Sequence, residues 1–205
     1  MRTGLKRAGL RLVLTGGAGA LVAVTAAVAF VGGGSSTASA ASGRANACGA
    51  TIRVTDQVKY VVNQYFQDGM RFVPGTVAVK SGCNLTFEFA TSDQSDPHSL
   101  SIVAQADLPR TTSQMENCKI CRRIGAKHVK HPGQPPGPAN PIVHWVVNAG
   151  SPGLDVPGDS IGIFEAKGAP PGHKSVTIPV SAPAGTILHF ICGLHPWMQG
   201  KIVVD

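Results

Sequence analysis

Charge is scarce in this chain. Only 14% of its 205 residues are Asp, Glu, Lys or Arg. Aromatic residues are scarcer still, at 5%, with two Trp and two Tyr. The low charge and a 43% hydrophobic content exclude a chain that is disordered throughout and leave enough apolar residues for a packed core. The formal net charge of +7 does not indicate a nucleic-acid binder. Arg2, Lys6, Arg7 and Arg11 are gathered at the start, and without them 14 basic residues stand against 11 acidic ones. That surplus is too small to make a basic face. No internal repeat and no second domain of comparable size are visible. What the chain does have is Gly (25) and Pro (15), spaced between short apolar runs. That pattern favours a sandwich or barrel of short strands over a helical fold.

Residues 1–40 read as a leader. Four basic residues precede an uncharged stretch from Leu12 to Val31, and Ala38-Ser39-Ala40 follows. Basic, apolar, then A-x-A is the order of a secretory signal peptide, with Ala41 the first residue after cleavage. The other reading is an uncleaved membrane anchor, since the apolar run of about 20 residues is just long enough to span a bilayer. Either way the body, 48–205, is expected outside the cytoplasm, secreted or tethered to the membrane, after a short linker at 41–47.

The body is expected to be all-β. Ala50–Thr55 suits a first strand, and Val58–Gln67 suits either an edge strand or a short helix. Thr76–Lys80 and Asn84–Ala90 alternate apolar and polar residues around Ser81-Gly82-Cys83 and read as a hairpin. Further strands are expected at Leu100–Ala104, Ile142–Asn148, Ile161–Ala166, Ser175–Val180, Thr186–Ile191 and Lys201–Val204. Eight or nine short strands suit a β-sandwich. Residues 105–141 interrupt this rhythm. Ser113-x-x-Glu116 is a capping-box pattern, so a helix over Ser113–Lys130 is predicted. Pro132, Pro135, Pro136, Pro138 and Pro141 then form a stiff return. The insertion is expected as a surface flap beside the strand that begins at His98.

The chemistry gathers in LHFICGLHPWMQGKIVV, Leu188–Val204. Cys192, His195 and Met198 lie within seven residues, flanked by apolar runs. Thiolate, imidazole and thioether together suit a soft metal, copper above all, and His98, which heads another apolar run, is the best candidate for a second imidazole. The segment resembles the ligand loop of the cupredoxins, the plastocyanin and amicyanin family of type 1 blue copper proteins. The likeness is to the contracted, amicyanin-like form: Cys192, His195, Pro196, Trp197, Met198 and Gly200 match in order and spacing. Upstream, Phe72, Pro74, Val77, Val79, Gly82, Leu85, Phe87 and Phe89 follow the family's strand-turn-strand pattern, and His98 comes just after. The likeness covers roughly 72–103 and 174–205. One departure is Ser99, where the family often has Asn, which puts the hydrogen bonding near the thiolate in question.

The resemblance implies a Greek-key β-sandwich holding one type 1 copper. Cys192 would supply the thiolate, His98 and His195 the imidazoles, and Met198 the weak axial thioether, with Gln199 the alternative at that position. His195, ringed by Pro196 and Trp197, would be the port for electrons. The expected function is an exported carrier of single electrons between redox protein partners, and not an enzyme. Copper oxidases and nitrite reductases need His-x-His pairs and more than one such domain, and this chain has no such pair. A binuclear centre would need a second Cys at position 188, which is Leu. The alternative function is copper storage, delivery or sensing, although only four Met are present.

Five cysteines leave one over, and copper claims Cys192. Cys48 and Cys83 are candidates for a disulfide tying the first strand to the turn at 81–83. Cys118 and Cys121 form a CxxC in the insertion with two readings. They make a local disulfide, or, with His128 and His131, a second metal site of zinc or copper type. Lys119, Arg122, Arg123, Lys127 and Lys130 around them read as a solvated helix face or as a docking patch for an acidic partner. His144 reads as structural, and alternation turns His189 to the face opposite Cys192.

Overall fold

A computed structural model describes residues 48–90, 96–132, 134, 139–164 and 173–205. The leader and linker expected at 1–47 lie outside the described residues. In chain order the strands are β1 (Gly49–Thr55), β2 (Val58–Val61), β3 (Tyr65–Asp68), β4 (Arg71–Val73), β5 (Thr76–Val79), β6 (Asn84–Phe89) and β7 (His98–Val103). The insertion contributes α1 (Thr112–Glu116) and α2 (Lys119–His128). Then come β8 (Val146–Val147), β9 (Ser160–Ile163), β10 (Ser175–Pro179), β11 (Ile187–Ile191) and β12 (Gln199–Val204).

Two sheets form a Greek-key sandwich. One has the order β10-β6-β1-β4 and the other β5-β12-β11-β7-β9-β8. Strict alternation places Ile52, Val54, Leu85 and Phe87 on the inner face of the first sheet, and Leu100, Ile102, Leu188, Phe190, Ile202 and Val204 on that of the second. All are essentially inaccessible and belong to one core. Phe72 packs edge-on against Phe87 and Phe190, with ring centroids 6.0 and 5.0 Å away.

Several sequence expectations are corrected. Thr76–Lys80 and Asn84–Ala90 do not pair as a hairpin. β5 pairs in parallel with β12, and β6 in parallel with β1, so the two runs lie in opposite sheets. The turn between them is fixed by distant partners. Ser81 N–H donates to the Asp205 carbonyl and Gly82 N–H to that of Val180, with Gly82 at φ 80°. Alternation is the same whether a strand continues its sheet or crosses to the facing one. Val58–Gln67, left open between strand and helix, is a two-stranded hairpin of β2 and β3 turning at Asn63 (φ 60°). It stands apart with Tyr60, Val62 and Phe66 each 69% exposed. Of Ile142–Asn148 only β8 is strand, because the amides of Val143 and His144 are taken by the His128 carbonyl.

The insertion is helical but in two pieces. Thr111, not Ser113, is the cap: its hydroxyl accepts from Gln114 N–H, and the Gln114 side chain accepts from Arg110 N–H. Asn117 then closes α1 by bonding twice to the Ser113 carbonyl, and Cys118 restarts the chain as the cap of α2. The insertion lies beside β7, as expected, and packs down on it. Cys121, Ile124 and His128 lie along one stripe of α2, and the first two pack with Cys118, Val103 and Ile191 on the outer face of the six-stranded sheet. Every residue of β7 is therefore buried, the core on one side and the insertion on the other. Two disulfides are present, Cys48–Cys83 and Cys118–Cys121. No helix among the described residues is long and apolar enough to cross a membrane.

Candidate metal centre

The site lies where β7 begins and β11 ends. β7 turns His98 to the same inner face as Leu100 and Ile102, and continuing β11 puts Cys192 on the face of Leu188 and Phe190. Beyond Cys192 the chain makes a tight loop. Met198 N–H donates to the His195 carbonyl and Cys192 N–H to that of Met198, at 2.9 and 3.0 Å. This folds His195 back over Cys192 and buries Met198 in the main core.

Three donor atoms converge. His98 Nδ1 and His195 Nδ1 are 3.1 Å apart, and they lie 3.9 and 3.6 Å from Cys192 Sγ. A point equidistant from such a triangle is about 2.1 Å from each corner, a bonding distance for a first-row metal to imidazole and close to that for thiolate. Among the described residues this is the one group of such side chains placed to hold a metal. Burial, and then the neighbouring His195, lowers the pKa of His98 to about 3. Burial also lowers that of His195, against the pull of Asp68, Asp96 and Asp56. Both imidazoles therefore keep a free lone pair at neutral pH. Burial pushes the Cys192 thiol up, offset in part by hydrogen bonds from Ser99, Leu194 and His195. The donor set, two neutral imidazoles and a soft thiolate beside a buried thioether, fits copper.

Gln199, the alternative axial residue, has its amide nitrogen tied to two carbonyls. Its amide donates to the carbonyls of Pro109 and Pro196, tying the start of the insertion to the ligand loop. Pro196 is half-buried, Trp197 is 43% exposed, and the Trp197 ring meets His195 edge-on at 5.3 Å.

The second metal site is not formed. Cys118 and Cys121 are bonded to each other, and both ring nitrogens of His128 are occupied, Nδ1 by the His144 carbonyl and Nε2 by Ser160 Oγ. His131 is exposed and, among the described residues, joins no such cluster; its backbone is paired with Asn140. The disulfide reading of the CxxC holds. Ser99 answers the question its departure raised: its amide donates to Cys192 Sγ at 3.4 Å and its hydroxyl accepts from Gly193 N–H at 2.8 Å. Sequence reasoning passed over Ser101, Ser160 and Asp159. Asp159 accepts amides of Ala149, Asp155 and Val156 and so sets the loop that delivers Ser160.

No protein-family model and no curated protein matches the chain. Solved structures similar to it include a purple cupredoxin from Nitrosopumilus maritimus, 12% identical over 76% of this chain and 99% of that one, TM-score 0.34. Auracyanin A from Chloroflexus aurantiacus is 17% identical over 77% and 99%, TM-score 0.39. A mutant fern plastocyanin is 16% identical over 76% and 100%, TM-score 0.36. At such distances the likeness is one of fold, and what the chain's own residues add is the two-sheet strand order and a His98–Cys192–His195 group placed to hold a metal, with a donor set that fits copper.

Proposed function

We propose that the protein carries single electrons through one type 1 copper centre held by His98, Cys192 and His195, with Met198 as the weak axial ligand. The observation that carries this reading is the convergence of the two Nδ1 atoms and Sγ in a pocket whose imidazoles are neutral. Copper would supply a one-electron couple there. The chain supplies a fixed frame: His98 is anchored in β7, and Cys192 and His195 are locked by the bonds that close their loop, so little needs to move when charge changes. A set that neither oxidation state fully prefers suits fast transfer. His195 is the half-exposed ligand, and Leu194 and Trp197 beside it are 41% and 43% exposed. That apolar rim supports His195 as the port toward redox protein partners. The order of residues in 1–40 supports export or tethering, and hence work outside the cytoplasm.

The test is the visible spectrum after adding Cu(II), compared with Cys192→Ala. The expected outcome is an intense blue thiolate-to-copper band in the parent, lost in the variant, at one copper per chain. Bound copper without that band in folded protein would overturn the carrier reading and favour storage or delivery.

A further inference from the structure

On the outer face of the six-stranded sheet, away from the sandwich core, buried hydroxyls form a chain. Ser99 Oγ lies 2.9 Å from Ser101 Oγ, which lies 2.6 Å from Ser160 Oγ, which lies 2.6 Å from His128 Nε2. All four side chains are buried, and all are hydrogen-bonded to one another across three elements, β7, β9 and α2. At one end stands the loop that carries Cys192. At the other stands a histidine contributed by the insertion.

We propose that His128 is a positioning residue for the metal centre: through Ser160 and Ser101 it fixes the direction of the Ser99 hydroxyl and so withholds that proton from the Cys192 sulfur. The inference rests on reading the site as a copper centre. Its direction follows from counting protons. A carbonyl only accepts, so the His128 Nδ1 facing the His144 carbonyl must carry hydrogen and donate. In a neutral ring Nε2 is then an acceptor, and Ser160 must donate to it. Each hydroxyl has one proton to give. Ser160, having spent its own, accepts from Ser101, and Ser101 accepts from Ser99. The Ser99 oxygen accepts from Gly193 N–H. Burial, with Lys127 adjacent, holds the His128 pKa below its ordinary value, so the ring stays neutral.

The consequence falls on the thiolate. Ser99 is close to it through both amide and hydroxyl. With the chain running toward His128, the Ser99 N–H is aimed at the sulfur while its O–H is directed to Ser101, so the hydroxyl acts on the sulfur only by proximity. If the chain were cut, the O–H would lose its acceptor and turn to the sulfur. A further hydrogen bond draws electron density from the thiolate, which favours the reduced metal and moves the charge-transfer band to higher energy.

The test uses the copper-loaded protein with Ser101→Ala and His128→Phe, reading the visible band and the midpoint potential. Both variants are expected to move the band to shorter wavelength and raise the potential. Ser101→Ala made in a Ser99→Ala background is expected to add nothing, because no hydroxyl remains to turn. A shift that persists in that background, or no shift in either single variant, overturns the proposal. Should His128→Phe fail to fold, Ser101→Ala alone decides. The Gly193 amide resonance of the metal-free protein is a readout that needs no copper, and it is expected to move in Ser101→Ala. An unmoved resonance counts against the chain, whereas a parent without a blue band counts against the copper reading only.

Discussion

His98, His128 and His195 are each held below the ordinary histidine pKa, His98 to about 3, with burial the first cause in all three. In the unfolded chain they would titrate near 6.5. Between those values the unfolded state binds more protons, so stability rises with pH and is lost as pH falls from about 6.5 toward 3. Asp159, which burial pushes up but the amides of Asp155, Val156 and Ala149 pull below its usual value, acts in the same direction at lower pH. Calorimetry of the metal-free protein is expected to show a melting temperature that drops between pH 7 and 5, before most carboxylates titrate. A constant one would mean that these rings are hydrated. Legibility at this scale followed chemical rarity. Cys192, His195 and Met198 are conspicuous because three soft or borderline donors share seven residues, and His98 because it opens an apolar run. Ser101 and Ser160 carry no signal of their own. Their role comes from the β7–β9 register, which pairs Ser101 with Ser160 and which no local pattern encodes.

The helix α2 joins the insertion to the site. An added Cβ at Gly193 would lie 2.7 Å from Ile124 Cγ2, so the ligand loop is packed directly against this helix. Ile124→Ala removes the centre of the small cluster formed with Val103 and Ile191. It is expected to cost about 2–3 kcal/mol in denaturant unfolding, toward the lower end for a buried Ile because the cluster is thin. An effect within about 0.5 kcal/mol, the size usual for surface substitutions, would show that the insertion does not contribute to the cooperative fold. The double variant Cys118→Ser with Cys121→Ser should keep one copper per chain by metal analysis, since neither residue is a ligand. Copper content that falls with the pair would restore a second site. A helix was legible from the capping-box pattern at Ser113–Glu116, but its true cap and its break were not, because Thr111 takes the cap and Asn117 and Cys118 end and restart the helix by backbone torsion. The strand runs at Thr76–Val79 and Asn84–Phe89 were equally legible, yet their assignment to opposite sheets depends on partners more than a hundred residues away in β12 and about 35 residues back in β1.

At the scale of the molecule, the sandwich has an exposed apolar rim at its metal end and one sheet face covered by the insertion. Trp197 and Leu194 flank the half-exposed His195, and no core contact requires Trp197. Trp197→Ser is expected to leave the blue band in place and slow electron self-exchange between oxidised and reduced copies severalfold, as read from NMR line broadening. An unchanged rate would place the port elsewhere. The all-β class and the metal end were legible from strand rhythm and the last loop. The covering of the outer face was not, because Ser99, Ser101 and Val103 look like solvent-side residues until α2 is laid over them.

The Gln199 amide holds Pro109 and Pro196 at once, and Gly193 has no room for a side chain beside Ile124. The ligand loop is therefore not a detachable cassette. Grafted into another scaffold of the same architecture, Cys192–Met198 would arrive without the helix that braces it. A foreign loop placed here would have to offer a carbonyl where Pro196 meets the Gln199 amide and its own glycine to Ile124 before its metal ligands could matter.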